Sequence, residues 1–325
     1  MARAAEPNPR MDQYYSAPQT LVKISRRRRL NLLIAGEGAP TVIFAPGGGA
    51  TTLEWGPVQH RISTKTRTVA YDNAGFGFSD PGPLPRTASA IVNDLRVALR
   101  AKDIAPPYVL VGWSMGGLIM RLFAFRYPQE VVGMVMVDTS TEYMARRYET
   151  AVGDRRFVEA RRKQRARSRR AMIRGEQLAR TGVVLPGTPE YNEMVGAPLP
   201  NLTPAVNAAR AAQLTSPGYY RSLRSELANL ASTSSEEVVS ARRALGDMPL
   251  IVLTAGRSAS PQGLSESQTE AYRQVKIAMH DEIASLSPRG QRRTVDAGHG
   301  IQLEKPEVVI AAIEEVLAIA RDGSD

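Results

Sequence analysis

Tyr108-Val109-Leu110-Val111-Gly112-Trp113-Ser114-Met115-Gly116-Gly117-Leu118 is the stretch that decides the architecture. Residues 108–111 form a continuous apolar run of the kind found in a buried strand, and residues 118–127 read as a helix. Between them lies Gly-x-Ser-x-Gly. A turn this sharp between strand and helix forces Ser114 into a strained backbone conformation, and small residues two places to either side keep neighbouring backbone clear. The serine oxygen is then exposed at the carboxyl end of a sheet. The N–H of Met115 lies at a helix start, where positive potential favours a developing oxyanion. The five-residue pattern alone is common; the strand before it and the helix after it make it informative.

Outward from that turn, a continuous apolar run falls at residues 41–45, and further strands are read at 66–71, 132–137, 249–254 and 292–295. Helical spacing falls at residues 88–102, 265–286 and 307–320. Two earlier strands, 21–24 and 30–34, flank the four arginines at 26–29. Strands alternating with helices predict an α/β fold with a mostly parallel sheet between helical layers. The alternation stops between residues 139 and 246, a helical, arginine-rich stretch interrupted by six prolines. The expected organisation is an N-terminal arm (1–19), an α/β core (20–138 and 247–325) and a helical cap (139–246).

A chain of 325 residues with 43 % hydrophobic and 23 % charged residues is ordinary for a globular protein and long enough for a large core. No run approaches the roughly 18 apolar residues of a membrane span. Residues 1–19 are polar and lack the apolar centre of a secretory signal, which favours a cytoplasmic location. The absence of cysteine removes disulfides, cysteine nucleophiles and cysteine metal ligands, and no metal-binding cluster stands out. The formal net charge is +10, and Arg or Lys fills half of the twenty positions from 155 to 174. Aromatic residues are not interleaved with these charges, so a solvated helix face is expected rather than a nucleic-acid partner.

These motifs together resemble the α/β-hydrolase family from about residue 21 to residue 320. The matching pieces are Pro46-Gly47-Gly48-Gly49 after the third strand, Tyr71-Asp72-Asn73-Ala74-Gly75-Phe76-Gly77-Phe78-Ser79 after the fourth, the Ser114 turn, and Gly298-His299 near the end. The resemblance implies Ser114 as nucleophile and His299, on the loop after the last strand, as general base. His60 and His280 are expected to be ordinary surface or packing histidines. Carried over by position, the oxyanion donors are the backbone N–H groups of Met115 and Gly48, although Pro46-Gly47 replaces the family's common His-Gly. Asp72 is implied to brace its loop.

The family's usual acid position is the loop after the strand 250–254, and residues 255–261 contain no carboxylate. The resemblance offers a second place, the end of the preceding core strand, as in some haloalkane dehalogenases, and Asp138 stands there. Glu266 and Glu142 are the alternatives. A serine nucleophile sets the chain apart from the aspartate-nucleophile branches and implies acyl transfer to water on an ester, thioester, lactone or amide. The expected partner is a small ester-like molecule, with no cofactor: Gly75-Phe76-Gly77 lacks the third glycine and helix start of a dinucleotide site. Trp55 and Trp113 are candidates for the pocket wall, with core aromatics as the alternative. A ligand receptor or an acyltransferase on the same scaffold are the other functional readings.

Overall fold

A computed structural model describes residues 14–182, 184–198, 202–257, 261 and 263–322. Strands β1 (Thr20–Ser25) and β2 (Arg28–Ala35) form a hairpin that leads into β3 (Thr41–Ala45). Helix α1 (Gly56–Ile62), β4 (Thr68–Tyr71), α2 (Ala88–Ala101), β5 (Tyr108–Trp113), α3 (Met115–Arg126) and β6 (Val131–Val137) follow. Six helices come next: α4 (Met144–Val152), α5 (Arg155–Thr181), α6 (Pro189–Val195), α7 (Pro204–Leu214), α8 (Pro217–Leu230) and α9 (Thr233–Ala241). The sheet resumes with β7 (Leu250–Ala255), then α10 (Glu266–Ala284), β8 (Gly290–Val295), the one-turn α11 (Ile301–Glu304) and α12 (Pro306–Asp322).

The sheet order is β1-β2-β4-β3-β5-β6-β7-β8. The β1–β2 and β2–β4 pairs are antiparallel, and every pair from β4 to β8 is parallel. Strand periodicity divides the interior into two cores. Leu110, Met134, Met136, Leu250 and Val252 join the cluster of α2, α3 and Ile283 of α10. Val109, Val111, Val135, Val137, Ile251 and Leu253 join the cluster of α1 and α12. Each of these strand residues is almost fully buried, and full burial of such a side chain stabilises the fold by about 1.5–3 kcal/mol.

Residues 1–13 of the expected arm lie outside the described residues. Within the described part of that stretch, Tyr15 is buried in the same cluster as Leu33, Trp55 and Val58. An aromatic ring gains more from that burial than a polar tail gains from freedom, so the chain is anchored five residues before β1. Gln19 N–H donates to Asn31 Oδ1 at 3.0 Å just before β1 begins. Among the described residues no helix is long and apolar enough to cross a membrane.

Candidate active site

The parallel register brings three strand ends to one edge. Trp113 pairs with Val137 across β5–β6, and Val137 pairs with Leu253 across β6–β7. The ladder continues one residue further: Ser114 N–H donates to Val137 O at 3.1 Å, and Asp138 N–H donates to Leu253 O at 2.8 Å. Ser114 and Asp138 are therefore neighbours because they follow paired strand positions. The carboxyl edge of a parallel sheet is where open α/β proteins build their sites.

Ser114 has φ 54° and ψ −121°, a strained conformation for any residue with a side chain. The surrounding glycines show what holds it. A Cβ on Gly112 would lie 2.6 Å from Gly117 Cα, and one on Gly116 would lie 2.4 Å from the Ala45 carbonyl oxygen and 2.6 Å from that of Pro46. Those contacts are backbone, so they cannot swing away. Gly116→Ala is expected to lower the unfolding free energy by about 1–3 kcal/mol, the cost of overpacking. Urea denaturation measures it, and an unchanged midpoint would contradict the packing argument. The Pro46–Gly49 loop passes close by: a Cβ on Gly47 would lie 3.3 Å from Ser114 Cβ, and one on Gly48 would lie 3.7 Å from Met115 Sδ.

Asp138 is buried, with its side chain 4 % exposed. Its Oδ2 lies 2.7 Å from His299 Nδ1, while Oδ1 accepts from Ala255 N–H at 2.9 Å and from Lys276 Nζ at 2.6 Å. Burial alone would raise this carboxyl. The hydrogen bond to His299 and the Lys276 ammonium outweigh it and hold Asp138 below the usual carboxylate range. His299 is half exposed. Its carbonyl accepts from Trp113 Nε1 at 2.8 Å, and the two rings are 5.3 Å apart at 44°. With Nδ1 committed to Asp138, the ring nitrogen left for chemistry is Nε2. Among the described residues no hydrogen bond joins it to Ser114 Oγ; such contacts commonly tighten only in the substrate complex.

The other carboxylates have different work. Glu142 pairs with Arg121 Nη1 at 2.6 Å, and Arg121 Nη2 donates to Ser140 O at 2.7 Å. That pair pins the segment after Asp138, whose Ser140 N–H in turn donates to Ser114 O at 2.8 Å. Glu266 is exposed at the start of α10. Asp72 is fully buried and accepts from Thr52 N–H, Asn31 Nδ2 and Phe78 N–H, all within 3.1 Å, which braces the loop after β4.

His60 is exposed. His280 is buried, with Nδ1 2.8 Å from Thr254 Oγ1 and Nε2 3.0 Å from Thr139 O; burial pushes it down to about 4. Trp55 is a correction to the pocket expectation. It is fully buried, with its ring 5.1 Å from Phe44, because the capped turn Thr52–Trp55 folds it into the core under α1. Trp113 stays partly exposed beside His299.

Helix α8 lies over the glycine loop. Tyr219 Oη donates to Gly49 O at 3.3 Å, and Leu227 Cδ2 would be 3.6 Å from a Cβ on Gly48. The same helix meets the loop after β4, where a Cβ on Gly75 would strike Ser222 Oγ at 2.1 Å. The arginine-rich α5 packs on α8, with Gly175 against the Tyr220 ring and Glu176 paired to Arg224 at 2.8 Å.

The family model for the alpha/beta hydrolase family matches residues 42–312. The chain belongs to the alpha/beta hydrolase family. Over 103 residues it is 34 % identical to the uncharacterized protein YqjL of Bacillus subtilis (strain 168), a stretch covering 32 % of this chain and 41 % of that protein. The chain thus spans less than half the length of that relative. Among solved structures it is similar to a thermophilic esterase from Thermogutta terrifontis, at 20 % identity and TM-score 0.59, covering 94 % of this chain and 99 % of that one. It is also similar to a putative epoxide hydrolase from Pseudomonas aeruginosa, at 15 % identity and TM-score 0.66, covering 94 % and 96 %. At such identities the alpha/beta hydrolase likeness is one of fold, and a hydrolytic role is what the family supports.

Proposed function

We propose that this alpha/beta hydrolase is a serine-dependent hydrolase that cleaves a carboxylic ester, lactone or thioester through an acyl-enzyme. The observation that carries the reading is the 2.7 Å contact of buried Asp138 with His299 Nδ1 at the sheet edge that also holds Ser114. Ser114 Oγ attacks the acyl carbonyl and gives its proton to His299 Nε2. The imidazolium, stabilised by Asp138, then protonates the leaving alcohol or thiol. Water repeats the sequence on the acyl-enzyme and regenerates Ser114. The N–H groups of Met115 and Gly48 supply the oxyanion hole, and Trp113 with α8 borders the acyl position. Asp138, held below the usual carboxylate range by His299 and Lys276, keeps the charge that stabilises the imidazolium.

Two measurements test this reading. A fluorophosphonate probe is expected to add its mass to the peptide bearing Ser114. A series of p-nitrophenyl esters of rising acyl length is expected to show turnover above the buffer rate. Absence of both labelling and turnover would overturn the assignment.

A further inference from the structure

Helix α10 presents Tyr272, Lys276 and His280 at helical spacing toward the segment after β6. Tyr272 stacks on Tyr148 of α4 at 4.0 Å and 14°, and His280 contacts Thr139 O at 3.0 Å. Lys276 lies between them. Its side chain is only 12 % exposed, and its ammonium sits 2.6 Å from Asp138 Oδ1 and 3.5 Å from Ala255 O. Removing a lysine from water costs several kcal/mol unless a partner compensates. A buried lysine on the triad carboxylate is therefore not a neutral surface charge. It also reaches the end of β7, where Ala255 O lies 3.5 Å from the ammonium.

We propose that Lys276 is a positioning residue of this site: its ammonium fixes one oxygen of Asp138, leaves the other for His299, and offsets part of the negative charge that the imidazole feels. The inference rests on the Ser114–His299–Asp138 reading. Its chemical consequence is that Asp138 stabilises the imidazolium less than a lone carboxylate would. A carboxylate with full charge over-stabilises the imidazolium; one shared with an ammonium does so less. Among the described residues, the buried Arg121, paired with Glu142, faces His280, and Arg161 on α5 faces Tyr148. Tyr148 on α4 and His280 on α10 are neutral near pH 7, the first pushed up by burial and the second down. Arg257, after β7, is balanced by Asp296 at 3.1 Å and Glu304 at 2.6 Å.

The test compares Lys276→Met, Lys276→Gln and Lys276→Arg. In kcat/KM profiles for a p-nitrophenyl ester, the acid limb of the Met and Gln variants is expected to move up by about one pH unit. One pH unit corresponds to about 1.4 kcal/mol of lost repulsion between the ammonium and the imidazolium. The Arg variant, which keeps the charge, is expected to stay near wild type. Should the Met variant fail to fold, the Gln variant decides, since it keeps a hydrogen-bond donor without the charge. The same comparison is made in a Ser114→Ala background by following the His299 ring resonances against pH, which needs no turnover. Wild-type and Lys276→Gln profiles that superimpose would overturn the role of Lys276. A protein that neither labels at Ser114 nor turns over esters would instead sink the hydrolase reading, and the ring titration would still decide Lys276.

Discussion

Replacing Ser114 with Ala is expected to lower kcat for the best p-nitrophenyl ester by about six orders of magnitude, and Asp138→Asn by about four. The two losses differ because the residues do different things. Without Ser114 Oγ no acyl-enzyme forms, and only the oxyanion donors and binding remain to assist water. With Asn at 138 the serine is still present, but its base is mis-set. The amide would face His299 Nδ1 with either an NH2 group, which enforces the wrong tautomer, or a carbonyl that carries no charge to stabilise the imidazolium. The Asn amide would also meet Lys276 Nζ, now 2.6 Å from Oδ1, with no charge to pair. Some loss of stability should accompany the kinetic loss, so circular dichroism and urea unfolding belong beside the kinetics. A folded Asp138→Asn variant with near wild-type turnover would overturn the proposed role of Asp138. Residual activity in Ser114→Ala above about one part in a thousand would point to a nucleophile other than Ser114.

The strand ends carrying Ser114 and Asp138 were legible because a parallel sheet turns local patterns into global positions. An apolar run that stops at Trp113 and another that stops at Val137 suffice once the two strands are adjacent. His299 was legible because few histidines compete and its place after the last strand is characteristic. Lys276 was not legible. It occupies one position in a charged helical stretch, and nothing local distinguishes it from its exposed neighbours Arg273 and Gln274. Its partner is 138 residues away and is reached only when α10 docks against the segment after β6. Trp55 shows the opposite failure: an aromatic just beyond a glycine loop reads equally well as pocket or core, and only the turn at Thr52–Trp55 settles its direction. The helices between β6 and β7 were legible as helices, but not which of them covers the glycine loop, since that depends on the close approach of α8 to Gly48 and Gly75.

Glu226→Gln is expected to stabilise the protein on the order of 4 kcal/mol more at pH 8 than at pH 5. Glu226 sits on α8, only 1 % exposed. Burial pushes its carboxyl up to about 8, against the opposing pull of the Arg86 guanidinium and the Asn73 amide. Arg86 cannot neutralise it fully, because its Nη2 is committed to Asp94 at 2.7 Å. The sign follows from the two states. Below about pH 4.5 the carboxyl is protonated whether the chain is folded or not, and its contribution is unchanged. Between there and pH 8 the unfolded chain releases a proton that the folded protein retains, so stability falls by up to about 1.4 kcal/mol per pH unit. Near pH 8 the folded form ionises as well, and the loss levels off. Glutamine keeps the shape and never ionises, so its advantage should be small at pH 5 and grow to its full size at pH 8. Urea denaturation of both proteins at the two pH values measures the difference directly. A gap between them that is the same at pH 5 and pH 8 would mean that Glu226 is ionised in the folded protein throughout, with Arg86 rather than burial setting its charge.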